Sequence, residues 1–308
     1  MDVRAFIFPG QGSQAVGMGK ALAEAEASAR AVFQEVDEAL GQHLSRLMAE
    51  GPPDELTLTE NAQPAIMANA VATLRVAGIG LDKAAFVAGH SLGEYSALCA
   101  AGTFPLATTA RLLRTRGQAM QAAVPVGVGA MAALIGADRE SAARLAEAAA
   151  EGEVCQVAND NDPTQVVISG HKAAVERAVA RAKEFGIKRG LLLPVSAPFH
   201  CALMEPAARA MEIALADAAA TAPAVPIYVN VTASPTDETE EIKRLLVDQV
   251  TGMVRWRESV AAMAAAGVTH FIEFGGKVLT PMVKRIAPDV EATSVVTMED
   301  VEAFAKTI

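Results

Sequence analysis

The sequence predicts an α/β fold, with a large α/β-hydrolase-like domain built on a parallel sheet and a small ferredoxin-like (βαββαβ) subdomain inserted in it. Three observations predict this. Short apolar runs alternate with Ala-rich segments of helical character along the chain. One such run ends in Gly89-His90-Ser91-Leu92-Gly93, a G-x-S-x-G turn between a strand and a helix. The region 126–195 has a strand and helix rhythm of its own. With 308 residues, 52% of them hydrophobic and 20% charged, the chain is long and apolar enough to bury a sizeable core.

In chain order, residues 4–8, 84–88, 227–231 and 269–274 read as buried strands, being short apolar runs that end in Gly, Pro or polar residues. Residues 18–40, 92–101, 107–122 and 259–266 read as helices. Between them, 129–135 reads as a strand and 138–150 as a helix. Two strands, 154–158 and 165–169, are joined by the turn-rich Asn159-Asp160-Asn161-Asp162-Pro163. A helix at 172–185 and a strand at 190–195 complete the order βαββαβ. The domains are therefore 1–125 with 196–308, and 126–195, with a binding cleft expected between them. The polar stretch 232–241 reads as a surface loop.

Bulk properties exclude several classes. A formal net charge of −10 argues against general nucleic-acid binding, which needs a basic face. No apolar run approaches a membrane span, and Met1-Asp2-Val3-Arg4 has no signal-peptide layout, so a cytoplasmic protein is expected. The three cysteines, Cys99, Cys155 and Cys201, read as reduced thiols. The five histidines show no metal-ligand spacing, and neither a metal nor another cofactor is expected.

The chemistry centres on Ser91. A sharp strand-to-helix turn crowds its neighbours, which explains the glycines at 89 and 93. It lifts the serine Oγ into the open and aims the first N–H groups of the helix, that of Leu92 included, at the oxygen of a bound carbonyl. A serine needs a base. His200, in Val195-Ser196-Ala197-Pro198-Phe199-His200, is the best placed, where a strand meets a loop after the small subdomain. His90 is nearer in sequence, but adjacent residues on a tight elbow point apart, so it reads as a packing or structural residue.

Several segments together resemble the acyltransferases of fatty acid and polyketide synthesis. They are Phe8-Pro9-Gly10-Gln11-Gly12-Ser13-Gln14, Gly89 to Tyr95, Arg116-Gly117-Gln118-Ala119-Met120, Ala158-Asn159 with Asn161 and Gln165 to Gly170, Val195 to His200, and Phe271-Ile272-Glu273-Phe274-Gly275. They stand in the family's order across nearly the whole chain, whose length is similar to that of the free-standing, malonyl-transferring members. The resemblance implies transfer of a malonyl group from malonyl-CoA to the phosphopantetheine thiol of an acyl carrier protein, through a malonyl-seryl intermediate, for fatty acid biosynthesis. It implies Ser91 as nucleophile and His200 as base, a dyad with no acidic third member. It also implies an oxyanion hole from the N–H groups of Gln11 and Leu92, and Arg116 on the malonate carboxylate. Gln249 matches a residue whose main-chain carbonyl orients the histidine, while Phe199 and Met120 belong to the acyl pocket. A Phe before the histidine resembles malonyl-selective members, because its ring fills the space an α-methyl group needs. Carrier proteins are typically acidic and so is this chain, so docking needs a local basic patch, for which Lys188-Arg189 and Lys284-Arg285 are the compact candidates. The elbow and base alone would serve a serine hydrolase equally well, and a non-catalytic carrier-binding module is a further alternative. Arg116 and the Gln11 segment argue against the first. The presence of both Ser91 and His200 argues against the second.

Overall fold

The protein, described over residues 2–307 by a computed structural model, begins with β1 (Arg4–Phe8) and runs through α1 (Lys20–Ala25), α2 (Ala27–Leu40), α3 (Leu44–Glu50), α4 (Pro53–Thr57) and α5 (Thr59–Ala77). Then come β2 (Phe86–Gly89), α6 (Gly93–Ala100) and α7 (Leu106–Ala122). A second unit holds β3 (Gly129–Ile135), α8 (Arg139–Ala150), β4 (Cys155–Asp162), β5 (Gln165–His171), α9 (Lys172–Arg181) and β6 (Arg189–Leu192). The chain returns through α10 (Glu205–Asp217), β7 (Ile227–Val229), β8 (Ser234–Thr236), α11 (Thr239–Thr251), α12 (Trp256–Ala265), β9 (His270–Phe274), α13 (Leu279–Ile286), β10 (Glu291–Val295) and α14 (Met298–Ala305).

The larger sheet has the order β10-β9-β1-β2-β7-β8, parallel throughout except for β8. Its central strand β1 is apolar on both faces, as a parallel strand covered by helices on either side must be. Phe6 and Phe8 enter one core with α2, α5 and α7, while Ala5 and Ile7 enter another with Trp256, Val260 and Phe271. Helix α5 lies inside the first core, and every residue from Asn61 to Leu74 is buried. That all-round burial is what a helix apolar on every side requires.

The smaller sheet has the order β4-β5-β3-β6, with every pairing antiparallel. One face packs on α8 and α9 through Ala132, Leu134, Leu145, Val166, Ile168 and Val175. The alternate residues Met131 and Val167 turn towards the larger unit and line the cleft between the two, as the two-residue period of a strand dictates.

Three sequence expectations are corrected. The helix expected over 18–40 is two helices. Glu26 is extended (φ −123°, ψ 128°), and Arg30 Nη1 donates to the carbonyls of Ala23 at 2.7 Å and Glu24 at 3.3 Å, satisfying the end of α1. The loop expected at 232–241 contains β8 and the start of α11. β8 is a short edge strand, so its outer face carries no apolar alternation and it tolerates Pro235. The turn expected at Asn159–Pro163 belongs mostly to a strand, because β4 continues to Asp162 across two register shifts. Its polar residues are buried and partnered across the cleft. Asp160 takes three hydrogen bonds from Arg257 at 2.9–3.1 Å, and Arg285 Nη2 pairs with Asp162 at 2.8 Å. Asp160 N–H donates to Val254 C=O, and Val254 N–H to Ala158 C=O, both at 2.9 Å. Polarity here marks an interface between the units, which composition alone cannot tell from a turn.

Candidate active site

β2 ends at Gly89 and α6 begins at Gly93, leaving three residues for the reversal. The turn closes so tightly that a Cβ on Gly93 would stand 2.2 Å from the Phe8 carbonyl oxygen, and one on Gly89 would stand 1.9 Å from the Gly93 carbonyl. No side chain fits at either place. Ser91 itself has φ 54°, the left-handed region that non-glycine residues avoid. The side chain of Asn230 holds it there. Its Oδ1 accepts the Ser91 N–H and its Nδ2 donates to the Gly89 carbonyl, both at 2.7 Å.

His200 comes from the loop after β6 and also sits at positive φ, 58°. Its Nε2 is 2.7 Å from Ser91 Oγ. Its Nδ1 lies 2.8 Å from the Gln249 carbonyl and 3.1 Å from that of Gly252. Carbonyl oxygens only accept, so Nδ1 carries the proton and the Nε2 lone pair faces the serine hydroxyl. Burial, and after it the charge of Arg116, push the imidazole down to about 3. The ring is therefore held neutral, in the form that can take a proton.

Arg116 is 1% exposed. Its Nη2 donates to Ser91 Oγ at 3.2 Å and to Gln249 Oε1 at 2.8 Å, and its Nη1 to Gln63 Oε1 at 2.9 Å. The Tyr95 ring lies 5.7 Å from its guanidinium carbon. Burial lowers its pKa. This is a buried cation dressed by amide oxygens, with no carboxylate in direct contact among the described residues, so it offers a strong site for an incoming anion. The other arginines of α7 go elsewhere: Arg114 donates to Gln42, and Arg111 is exposed.

Ser91, His200, Arg116 and Gln63 share a cleft of about 350 Å³ between the two units. Gln11, Leu92, Met120, Phe199, Asn159 and Asn161 line it too. Among the described residues no protein acceptor takes the N–H of Gln11 or of Leu92. A larger open groove of about 1020 Å³ over α2 and α3 contains none of these residues. His90 lines the same cleft but makes no hydrogen bond to the Ser91 side chain among the described residues. Its Nε2 donates to Asn161 Oδ1 at 2.8 Å and its ring packs edge-on against Trp256. All four basic docking candidates are exposed, but Lys284 donates to the Val290 carbonyl and Arg285 is tied to Asp162.

Sequence reading missed Gln63, Glu94 and Asn230. Glu94 is fully buried, and its Oε2 accepts the Asn230 N–H at 2.9 Å and Gln249 Nε2 at 3.1 Å. Gln249 was singled out for its carbonyl, but its side chain also joins Glu94 to Arg116. The signal available was a Glu and two amides inside otherwise apolar segments.

Comparison with known proteins identifies the family. Residues 5–291 match the family described as acyl transferase domain. The chain is 49% identical over 292 residues to the malonyl CoA-acyl carrier protein transacylase of Escherichia coli, covering 94% of each. It is 44% identical to that of Bacillus subtilis, over 100% of this chain and 98% of the other. The crystal structure of the acyl-carrier-protein-S-malonyltransferase from Bartonella henselae superposes with a TM-score of 0.96 at 55% identity, covering 99% of both chains. A malonyl-transacylase solved in complex with its type II polyketide acyl-carrier protein superposes with a TM-score of 0.95 at 40% identity over the full length of both.

Proposed function

Because the chain belongs to the acyl transferase family and is an acyltransferase, we propose that it moves a malonyl group from malonyl-CoA to the phosphopantetheine thiol of an acyl carrier protein, in fatty acid biosynthesis. The observation that carries this reading is the placement of Arg116 Nη2 3.2 Å from the same Ser91 Oγ that lies 2.7 Å from His200 Nε2. In a malonyl ester of Ser91 the terminal carboxylate carbon is three bonds from Oγ, roughly 4 Å away. A guanidinium that touches Oγ is thus within reach of the carboxylate, and its fork can meet both oxygens.

The thioester carbonyl oxygen sits against the N–H groups of Gln11 and Leu92. Ser91 Oγ attacks the carbon while its proton passes to His200 Nε2. The C–S bond breaks, and the CoA sulfur leaves with that proton as a thiol. In the second half the carrier thiol gives its proton to His200 and attacks the malonyl ester, and His200 returns the proton to Ser91. The carbonyl of Gln249 holds the imidazole tautomer as an acidic third member would, with less stabilisation of the imidazolium. The acyl carboxylate helps as well. Arg116 opposes protonation of His200, and a bound carboxylate offsets that charge, so the base is relieved when malonyl, and not acetyl, occupies the cleft. Phe199 and Met120, both buried at the cleft wall, close the acyl pocket.

The chain reads as two units, 1–125 with 196–308, and 126–195. The order β4-β5-β3-β6, with α8 and α9 on one face, supports a ferredoxin-like small unit. The chemistry needs no metal or other cofactor. No helix among the described residues is long and apolar enough to cross a membrane, and the reading places the enzyme in the cytoplasm.

The test is the intact mass of the protein after mixing with malonyl-CoA. The wild type should gain one malonyl group and Ser91→Ala none. An adduct persisting on the Ala variant would put the nucleophile elsewhere, and rapid release of free malonate without a thiol acceptor would make the enzyme a hydrolase.

A further inference from the structure

The mechanism above makes no use of Glu94, a buried carboxylate one amide away from Arg116. It follows the nucleophile by three residues on α6, and its Oε1 has no partner among the described residues. Gln249 is the connector, with Nε2 on Glu94 Oε2 at 3.1 Å and Oε1 on Arg116 Nη2 at 2.8 Å. An ionised carboxylate only accepts hydrogen bonds, so it fixes which end of the amide faces Arg116.

Resting on the carboxylate role given to Arg116, we propose that Glu94 is a positioning residue and counter-charge for Arg116, acting through Gln249, and that it sets how strongly the cleft prefers an acyl group ending in a carboxylate. Two anions then share one buried cation. With Glu94 ionised, a bound carboxylate brings the enclosed charge to an unfavourable net negative. With Glu94 protonated, it brings that charge to zero.

Burial pushes the Glu94 carboxyl up to about 7, against the downward pull of Asn230, Gln249 and Arg116. The titratable groups that face it are Arg116, from α7, and Tyr95, from its own helix. The neighbouring α5, α11, β1, β2 and β7 bring no charge to bear on it among the described residues. A bound carboxylate cancels part of the Arg116 pull, so Glu94 takes up a proton as the site fills. By the same linkage, preference for the charged acyl group falls as pH rises through about 7. His200, held down to about 3, does not titrate across this range, and the CoA thiol is common to both substrates, so neither makes the ratio change around pH 7.

The experiment measures kcat/KM for malonyl-CoA relative to acetyl-CoA on both sides of pH 7 in wild type, Glu94→Gln and Arg116→Ala. The wild-type ratio should fall with rising pH, by up to about tenfold for each pH unit by which the bound carboxylate displaces the Glu94 ionisation. Glu94→Gln keeps an oxygen for Gln249 and Asn230, so its ratio should be flat with pH and at or above the wild-type acid value. Arg116→Ala should lose the preference. Independently of whether Glu94→Gln folds, acylation of the wild type in weakly buffered solution near pH 7 should take up a fraction of a proton with malonyl-CoA and none with acetyl-CoA. A flat wild-type ratio without proton uptake overturns the proposal. So does a Glu94→Gln variant that loses both activities equally and keeps the pH dependence. If Arg116→Ala leaves the ratio unchanged, the carboxylate role of Arg116 itself is wrong, a failure distinct from that of Glu94.

Discussion

Replacing Arg257 by Ala should destabilise the protein more than its position at the surface suggests. The Arg257 side chain is 35% exposed, but its partner Asp160 is fully buried, and all three side-chain hydrogen bonds to that carboxylate come from Arg257. Removing the arginine leaves an ion in the interior with no donor. One-sided loss of a buried pair typically costs about 3–5 kcal/mol. The gap left by a partly exposed arginine admits water, which puts the expected cost near the lower end, about 3 kcal/mol. In a chain of 308 residues that lowers Tm by roughly 5 °C. The double variant Arg257→Met, Asp160→Asn removes both charges and should recover at least half of the loss. Urea unfolding of wild type, the single variant and the double variant measures this. The neighbours of Asp160 line the cleft, and Asn161 holds His90 at 2.8 Å, so the single variant should also raise KM more than it lowers kcat. A single variant within about 1 kcal/mol of wild type, or a double variant no more stable than the single, would refute this account of how β4 is held.

Other perturbations give separate readings. His200→Ala should slow acylation by about 10²–10⁴-fold while CoA is still bound; acylation close to the wild-type rate rules out His200 as the base. With the imidazole at about 3, acylation should not fall through the ordinary histidine range near 6.5 but only at lower pH. Because the folded value lies below the unfolded one, His200 also favours the fold above pH 6.5, and that contribution is lost as pH falls from 6.5 towards 3. Arg116→Ala should lower malonyl transfer tens- to thousandfold, from the roughly 2–5 kcal/mol typical of a truncated buried charge pair, and acetyl transfer much less. Arg116→Lys should rescue only partly, and equal losses for both substrates would move the carboxylate site elsewhere. Gly93→Ala should yield little folded protein, since its Cβ meets the Phe8 carbonyl at 2.2 Å; a soluble, active variant would show that the elbow can open.

Ser91 was legible because its turn is a local pattern, and His200 and Arg116, which the structure brings to it, because they stand in segments that resemble the acyltransferases. The elbow needs glycines at fixed offsets, and the small unit writes its strands and helices as clear changes of period, so β3 was anticipated as Gly129–Ile135. What surrounds the reacting groups was not legible. Asn230, Gln63 and Glu94 act through pairings across 139, 53 and 136 positions, to Ser91, Arg116 and Asn230 respectively. No short-range pattern encodes such contacts. The segment Asn159–Asp162 misled for the same reason, because its side chains are polar for partners that lie in the other unit. β8 and β10 escaped notice because edge strands bury too little to carry an apolar run.

Ser91 and His200, the two residues that react in the proposed mechanism, are both held in left-handed backbone, at φ 54° and 58°. Such a conformation costs a non-glycine residue on the order of 1 kcal/mol, which glycine or asparagine would largely recover. Selection for folding stability alone therefore pulls against catalysis at the same two codons, and a screen that scores only heat resistance should enrich dead enzymes there. Glu151 and Ala233 carry the same backbone strain, at φ 48° and 52°, but lie outside the cleft. A lineage that must keep its turnover while gaining heat tolerance has those two positions open to glycine, where relief of strain carries no catalytic penalty.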